Sequence, residues 1–218
     1  TPLYSSAASD VYKRQGLRSS EDGMEFGVAL HTVMELLDLA RDPWSQLAEL
    51  ERAGAVPERI RERLKAGVAG LWSSPLFPIL RRASPRFKEQ RFSLLLGGAT
   101  LTGTVDLLVR TTQGEWWVVD YKTDAIGETM VEAKAQQYRF QVEAYAYACG
   151  LILGSPVSRV LIYFAHPQVW WEEQVGATVL KEVEGRLLDL LRGIECADFV
   201  PRRTPECARC IYDGRFCS

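Results

Sequence analysis

Three acids and a lysine stand where strand periodicity would place apolar side chains. In GEWWVVDYKTD, residues 114–124, an apolar run from Trp116 to Val119 gives way to Asp120 and then Lys122. Asp106 interrupts ATLTGTVDLLVR, and Glu89 interrupts RFKEQRFSLLL, in the same manner. Turn chemistry says whether these acids meet. A three-residue loop Thr112-Gln113-Gly114 with a left-handed Gly114 pairs Thr111 with Glu115, which sets Asp106 opposite Asp120. A two-residue loop Gly97-Gly98 pairs Leu96 with Ala99, which sets Glu89 opposite Asp106. Because side chains alternate along a strand, Glu89, Asp106 and Asp120 are expected in one row, with Arg91, Thr104 and Lys122 in the next. A slip of one residue would turn the row to the other face. Directly opposed like charges destabilise a sheet, and a hard divalent cation among them removes the conflict. Mg²⁺ uses one or two carboxylates and keeps waters for a substrate phosphate. Lys122 beside such an ion is placed to orient or deprotonate an attacking water, and the ion lowers the lysine's own pKa.

The elements that must position these groups follow from periodicity. MEFGVALHTVMELLDLA, residues 24–40, has Phe26, Leu30, Val33, Leu36 and Leu37 at helical spacing. A second helix is expected from Pro57, a favoured first-turn position, and a short third from near Pro75. From Arg86 the period changes to two, and three strands joined by tight turns follow: 86–96, 99–110 and 115–123. ETMVEAKAQQYRFQVEAYAYACG is helical, SRVLIYFAH and QVWWEEQV are strands, and ATVLKEVEGRLLDLLRGI is a helix. This order predicts an α/β layered domain with a mixed central sheet.

The chain has 218 residues, 47% apolar and 25% charged, and its net charge is −2. That suits one globular domain, with or without a small appendage, and gives no bulk-charge signal for nucleic acid. Neither an eighteen-residue apolar run nor a charged-then-apolar leader occurs, so the expected location is cytoplasmic, with no membrane association. Residues 1–15, TPLYSSAASDVYKRQ, lack periodicity and look like translated adaptor sequence; they are expected to be non-native or unstructured, with a domain over 16–200 and a cysteine-containing tail over 201–218. The chain is also expected to be a fragment, and its lack of a Walker A motif places any motor on missing sequence or a partner.

GTVDLL (103–108), VVDYKTD (118–124), QVEAY (141–145) and GVALH (27–31), in the order of their elements, resemble the PD-(D/E)XK nucleases of the RecB/AddA exonuclease type. The resemblance runs from about residue 23 to the C-terminus and implies a restriction-endonuclease-like core. It implies that His31, Asp106, Asp120 and the Tyr121 backbone carbonyl ligate Mg²⁺ or Mn²⁺, with Asp106, Asp120 and Lys122 catalytic. Gln141 and Tyr145, one helical turn apart, would contact DNA or steady the metal site. Gln137 and Tyr138 are weaker candidates, Glu89 is a possible additional acid, and Glu35 is expected on the surface. The implied chemistry is phosphodiester hydrolysis, in which a metal polarises the phosphate and Lys122 holds the water in line.

Five cysteines occur, at 149, 196, 207, 210 and 217. CARCIYDGRFC supplies Cys207, Cys210 and Cys217, which in some relatives join one upstream cysteine around a 4Fe-4S cluster; zinc is also compatible with thiolates. No cysteine precedes His31, so the fourth ligand was lost with the true N-terminus, or is Cys196, or the tail is degenerate. Cys149 is expected to be buried. The implied function is a metal-dependent nuclease acting mainly on single-stranded DNA, part of a helicase–nuclease for double-strand break repair and recombination. Alternatives are a non-catalytic DNA-binding or scaffold module, against which the intact Asp…Asp-x-Lys set argues, and a stand-alone CRISPR-associated iron–sulfur nuclease. Arg81, Arg82, Arg86, Arg202 and Arg203 could track phosphates, and Trp170 and Trp171 could stack bases, although solvated and packing roles are the simpler expectation for both sets.

Overall fold

The computed structural model describes residues 21–198, with the side chains of Glu21 and Asp22 excepted. The tail with Cys207, Cys210, Cys217, Arg202 and Arg203, and the leader 1–15, lie outside the described residues.

Helices α1 (Glu21–Leu36), α2 (Pro43–Arg52), α3 (Arg61–Ser73) and α4 (Phe77–Arg82) precede the sheet. Strands β1 (Arg86–Leu96), β2 (Ala99–Arg110) and β3 (Trp116–Lys122) come next, then α5 (Val131–Leu153), β4 (Val157–Phe164), β5 (Val169–Gln174) and α6 (Ala177–Glu195). The five strands lie in sequence order. β1–β2, β2–β3 and β4–β5 are antiparallel, and β3–β4 are parallel across the α5 crossover. This is the expected mixed sheet, opening on an antiparallel meander.

Two apolar clusters hold the layers together. Phe26, Leu30, Val33 and Leu37 pack with Leu107, Val109, Val119 and Tyr121 on one face. Val131, Ala135, Val142 and Ala146 of α5 pack with Leu108, Val118, Val160 and Ile162 on the other. Full burial of each such aliphatic or aromatic side chain contributes about 1.5–3 kcal/mol. β3 is covered from both sides, which is why it reads as a continuous apolar run until it reaches the acids.

Both hairpin loops have the expected form. Gly97, Gly98 and Gly114 take φ of 57°, 85° and 86°, and the ladders pair Leu96 with Ala99 and Leu107 with Val119. Three expectations need correction. α1 ends at Leu36 and not near residue 40, and Leu36 is 56% exposed while Val33 and Leu37 are buried. α2 is absent from the periodicity reading: Asp42 caps it by accepting from the Ser45 N–H at 2.8 Å, with Pro43 in its first turn. Pro57 precedes a short 3₁₀ turn, Glu58–Ile60, rather than opening an α-helix.

Trp171 and Trp170 pack as the simpler reading expects. Trp171 joins the α5-side cluster, and Trp170 packs against Tyr163 with ring centroids 4.9 Å apart and the rings tilted by 41°. Arg81, Arg82 and Arg86 donate to the backbone carbonyls of Ala40, Pro78 and Arg81. Cys149 is buried and Cys196 exposed.

Candidate active site

α1 brings His31 against the sheet. Gly27, one turn before it, sits so close to the end of β3 that a Cβ there would meet Thr123 Oγ1 at 3.2 Å. The other end of α1 is fastened to β1 by Lys88, which donates to the carbonyls of Glu35, at 3.1 Å, and Leu37. Burial lowers the Lys88 pKa to about 8, although Asp38 pulls it back up. The residue after Lys88 is Glu89, so this tie sets the spacing between His31 and the acids of the hairpin.

Glu89 has a left-handed backbone, with φ of 45°. It stands between the pairs Lys88–Leu107 and Gln90–Val105, so Asp106 is its counterpart in register as the turn lengths predict. Val105 packs on the α5 side of the sheet and Leu107 on the α1 side, although residues two positions apart on a strand normally share a face. The alternation of faces therefore slips at Asp106, opposite the left-handed Glu89. Simple strand alternation does not anticipate this.

The outcome is one compact donor group. His31 Nδ1 lies 3.4 Å from Glu89 Oε1 and 3.5 Å from Asp106 Oδ1. One ligand atom from each of His31, Glu89 and Asp106 falls within 4.8 Å of the others. Imidazole nitrogen with two carboxylates is a donor set that fits a divalent cation such as Mg²⁺ or Mn²⁺. Burial disfavours a charged His31, but the contact with Asp106 and the charges of Asp106, Glu89 and Asp120 outweigh it and raise its pKa to about 9. Burial, with the Asp106 charge, also raises Glu89.

Asp120 stands apart from that group. Its carboxylate is almost wholly buried, and Lys122 Nζ pairs with it at 2.7 Å from Oδ2. Burial pushes the Asp120 pKa up to about 6, Lys122 pulls it down and Asp106 pushes it up again. The two halves are joined through the backbone: Tyr121 N donates to Asp106 Oδ2 at 2.6 Å. The β2–β3 ladder ends at Leu107–Val119, and the Asp106 side chain takes over the next position along β3.

On the other side, Lys122 Nζ donates to Gln141 Oε1 at 3.2 Å, and Gln141 Nε2 donates to Tyr145 Oη at 2.8 Å. The two α5 residues thus reach the lysine as a relay. Tyr138 lies beside them; its hydroxyl donates to the Asp124 carboxylate at 3.0 Å, and Lys122 Nζ sits 4.4 Å from its ring centre. Gln137 is exposed and bonded to Lys134. Glu35 is exposed on the cleft rim, as expected of a surface acid.

His31, Glu89, Lys122 and Tyr138 open onto a cleft of about 900 Å³, lined also by other residues of α1 from Gly23 to Glu35, by residues 121–126, and by Arg63 and Lys134. A smaller hollow of about 450 Å³ between the C-terminal end of α5 and α6 contains none of the chemical groups above. Sequence reasoning misses Arg63 and Asp124, which also enter the cleft. Asp124 directly follows the Lys122 segment and is within reach of the pattern; Arg63 is one of several basic residues in its helix, and nothing in the spacing singles it out.

Residues 11–217 match the model of the PD-(D/E)XK nuclease superfamily. The chain is 26% identical over 163 residues to an ATP-dependent helicase/nuclease subunit from Carboxydothermus hydrogenoformans, covering 66% of this chain and 14% of that protein. It is 29% identical over 177 residues to the helicase/nuclease subunit of the same name from Pelotomaculum thermopropionicum, covering 72% and 14%. The chain therefore spans about 14% of the length of these relatives. Among solved structures, a protein of Eubacterium rectale described as a "putative exonuclease" has the same fold, with a TM-score of 0.52 at 13% identity, covering 92% of this chain and 76% of that one.

Proposed function

Because the chain belongs to the PD-(D/E)XK nuclease superfamily, we propose that it is a Mg²⁺- or Mn²⁺-dependent DNA nuclease, exonucleolytic on single strands and working with a helicase in double-strand break repair and recombination. The observation that carries this reading is the convergence of His31, Glu89 and Asp106 on one point, with the Asp120–Lys122 pair bound to it through Tyr121. The helicase partner and the repair role rest on the helicase/nuclease relatives, and a cytoplasmic location goes with them. No helix among the described residues is long and apolar enough to cross a membrane.

In this reading His31, Glu89 and Asp106 would hold the cation, with Asp120 and the Tyr121 backbone carbonyl as further ligands. A bound divalent cation polarises a phosphoryl oxygen and makes a bound water more acidic. Lys122, steadied by Gln141 and Tyr145, holds the attacking water in line or takes its proton. The fixed donors would stabilise charge as it develops. A 4Fe-4S or zinc site on Cys207, Cys210 and Cys217 belongs to this proposal only as a feature of the tail.

The test is degradation of end-labelled single-stranded DNA with Mg²⁺ or Mn²⁺ beside a Lys122→Ala control. Metal-dependent cleavage abolished by the substitution is expected. A folded, metal-binding protein that leaves the DNA intact would replace this reading with that of a DNA-binding module.

A further inference from the structure

The floor of the cleft is acidic and would by itself repel a polyanion, so cations on its walls must offset it. Three line it: Lys122, Lys134 and Arg63. Lys122 pairs with Asp120 at 2.7 Å and Lys134 with Asp124 at 3.1 Å. Arg63 differs. Its neighbours in the basic run are each committed, Arg59 to Glu25, Arg61 to Glu51 at 3.8 Å and Lys65 to Glu51 at 3.1 Å. Arg63 has no carboxylate partner among the described residues, and its Nε is buried without a protein hydrogen-bond acceptor. What holds it is stacking: the guanidinium carbon lies 4.0 Å from the ring centre of Phe26, directly before the Gly27 that seats α1 on β3.

We infer that Arg63 binds a non-scissile backbone phosphate of the DNA strand lying in the cleft. A planar guanidinium clamped on an aromatic face keeps its edge N–H groups in one plane, the geometry that bidentate phosphate recognition uses. The Nε N–H groups of Arg61 and Arg63 are both buried without an acceptor, but Arg61 has the Glu51 carboxylate beside it and Arg63 has none among the described residues, so the counter-charge of Arg63 is left to a group from outside the chain. The scissile phosphate is served by the donor group and Lys122, so a cation across the cleft on α3 fits a neighbouring phosphate and thereby sets where the strand lies. This inference rests on the nuclease reading above and adds a strand-positioning contact to it.

The experiment uses the full 218-residue chain carrying Lys122→Ala, in Ca²⁺, with a fluorescein-labelled oligothymidylate followed by anisotropy over a range of salt. Adding Arg63→Met keeps an apolar stem against Phe26 but removes the charge. It should weaken binding about tenfold and reduce the salt slope by about 0.7, with no change in thermal midpoint. Arg63→Lys should keep the slope and lose about threefold in affinity, since a point charge replaces a fork. This second variant decides the matter if Arg63→Met fails to fold. Unchanged affinity and slope in the folded variants would overturn the inference while leaving the nuclease reading intact. A Lys122→Ala protein that binds no DNA, together with a wild-type chain that cuts none, would overturn both.

Discussion

Asp106 Oδ2 accepts the Tyr121 backbone N–H at 2.6 Å, so one carboxylate both completes the edge of β3 and faces the imidazole of His31 with its other oxygen. Those two duties separate under substitution. Asp106→Asn keeps an acceptor for the N–H and should lose less stability in urea than Asp106→Ala, because it removes only the charge contacts with His31 and Glu89. Asp106→Ala leaves a buried N–H unpaired and should lose about 1–3 kcal/mol. Both should lose Mn²⁺ binding in a calorimetric titration. Equal stability of the two variants would show that the backbone contact contributes nothing.

The Lys122–Gln141–Tyr145 relay makes a graded prediction. Replacing Lys122 with Met should lower cleavage by about 10²–10⁴-fold, the range for a general acid–base group, while Mn²⁺ binding persists. Gln141→Leu should cost less, and Tyr145→Phe least, with both acting on kcat more than on KM. If Gln141→Leu raises KM alone, its partner is the DNA and not the lysine.

The hairpin loops show how far the sequence reaches. Gly97-Gly98 and Thr112-Gln113-Gly114 fix a register by turn chemistry alone, and that register places Glu89, Asp106 and Asp120 at matching positions without any tertiary information. The side-chain arrangement built on that register is not local. The acids do not share one group, because Asp120 is turned to Lys122 by a charge two residues away while Glu89 and Asp106 meet His31, which comes from helix α1. The left-handed turn at Glu89 carries no signature, since Glu is not a residue that favours it. Likewise Pro43 and Asp42 are ordinary cap residues in a short, largely polar segment, and only packing at Gln46 and Leu47 reveals the helix they open.

Cys149 and Cys196 should separate by reactivity. Burial raises the Cys149 thiol from 9.0 to about 11, whereas Cys196 is exposed. The thiolate is the reactive form, so iodoacetamide at pH 8 should modify Cys196 and spare Cys149 in the native chain, as read by peptide mass spectrometry, with both modified in urea. Stability should respond to the same proton. The folded state holds it more tightly, so its contribution is complete below pH about 9 and is lost as the pH rises through about 11. Rapid native modification of Cys149 would mean that the α5 face of the core opens readily.

Glu89→Gly is expected to preserve or raise the thermal midpoint while abolishing cleavage. A left-handed backbone costs a non-glycine residue on the order of 1–2 kcal/mol, and Gly removes that cost together with like-charge repulsion from Asp106. It also removes one of the three donors grouped around His31. A clear drop in the midpoint would show that the Glu89 side chain contributes more through its contacts than its backbone costs.

The conflict at this one position has a historical side. In the proposed site, selection for the chemistry would keep a carboxylate on a left-handed backbone that suits glycine or asparagine better, against a standing pull toward replacement. A lineage that stopped needing the chemistry would drift along that pull, and position 89 would be among the first to change. Sequences with Gly or Asn opposite an intact Asp106 would then mark descendants that kept the fold after giving up the reaction.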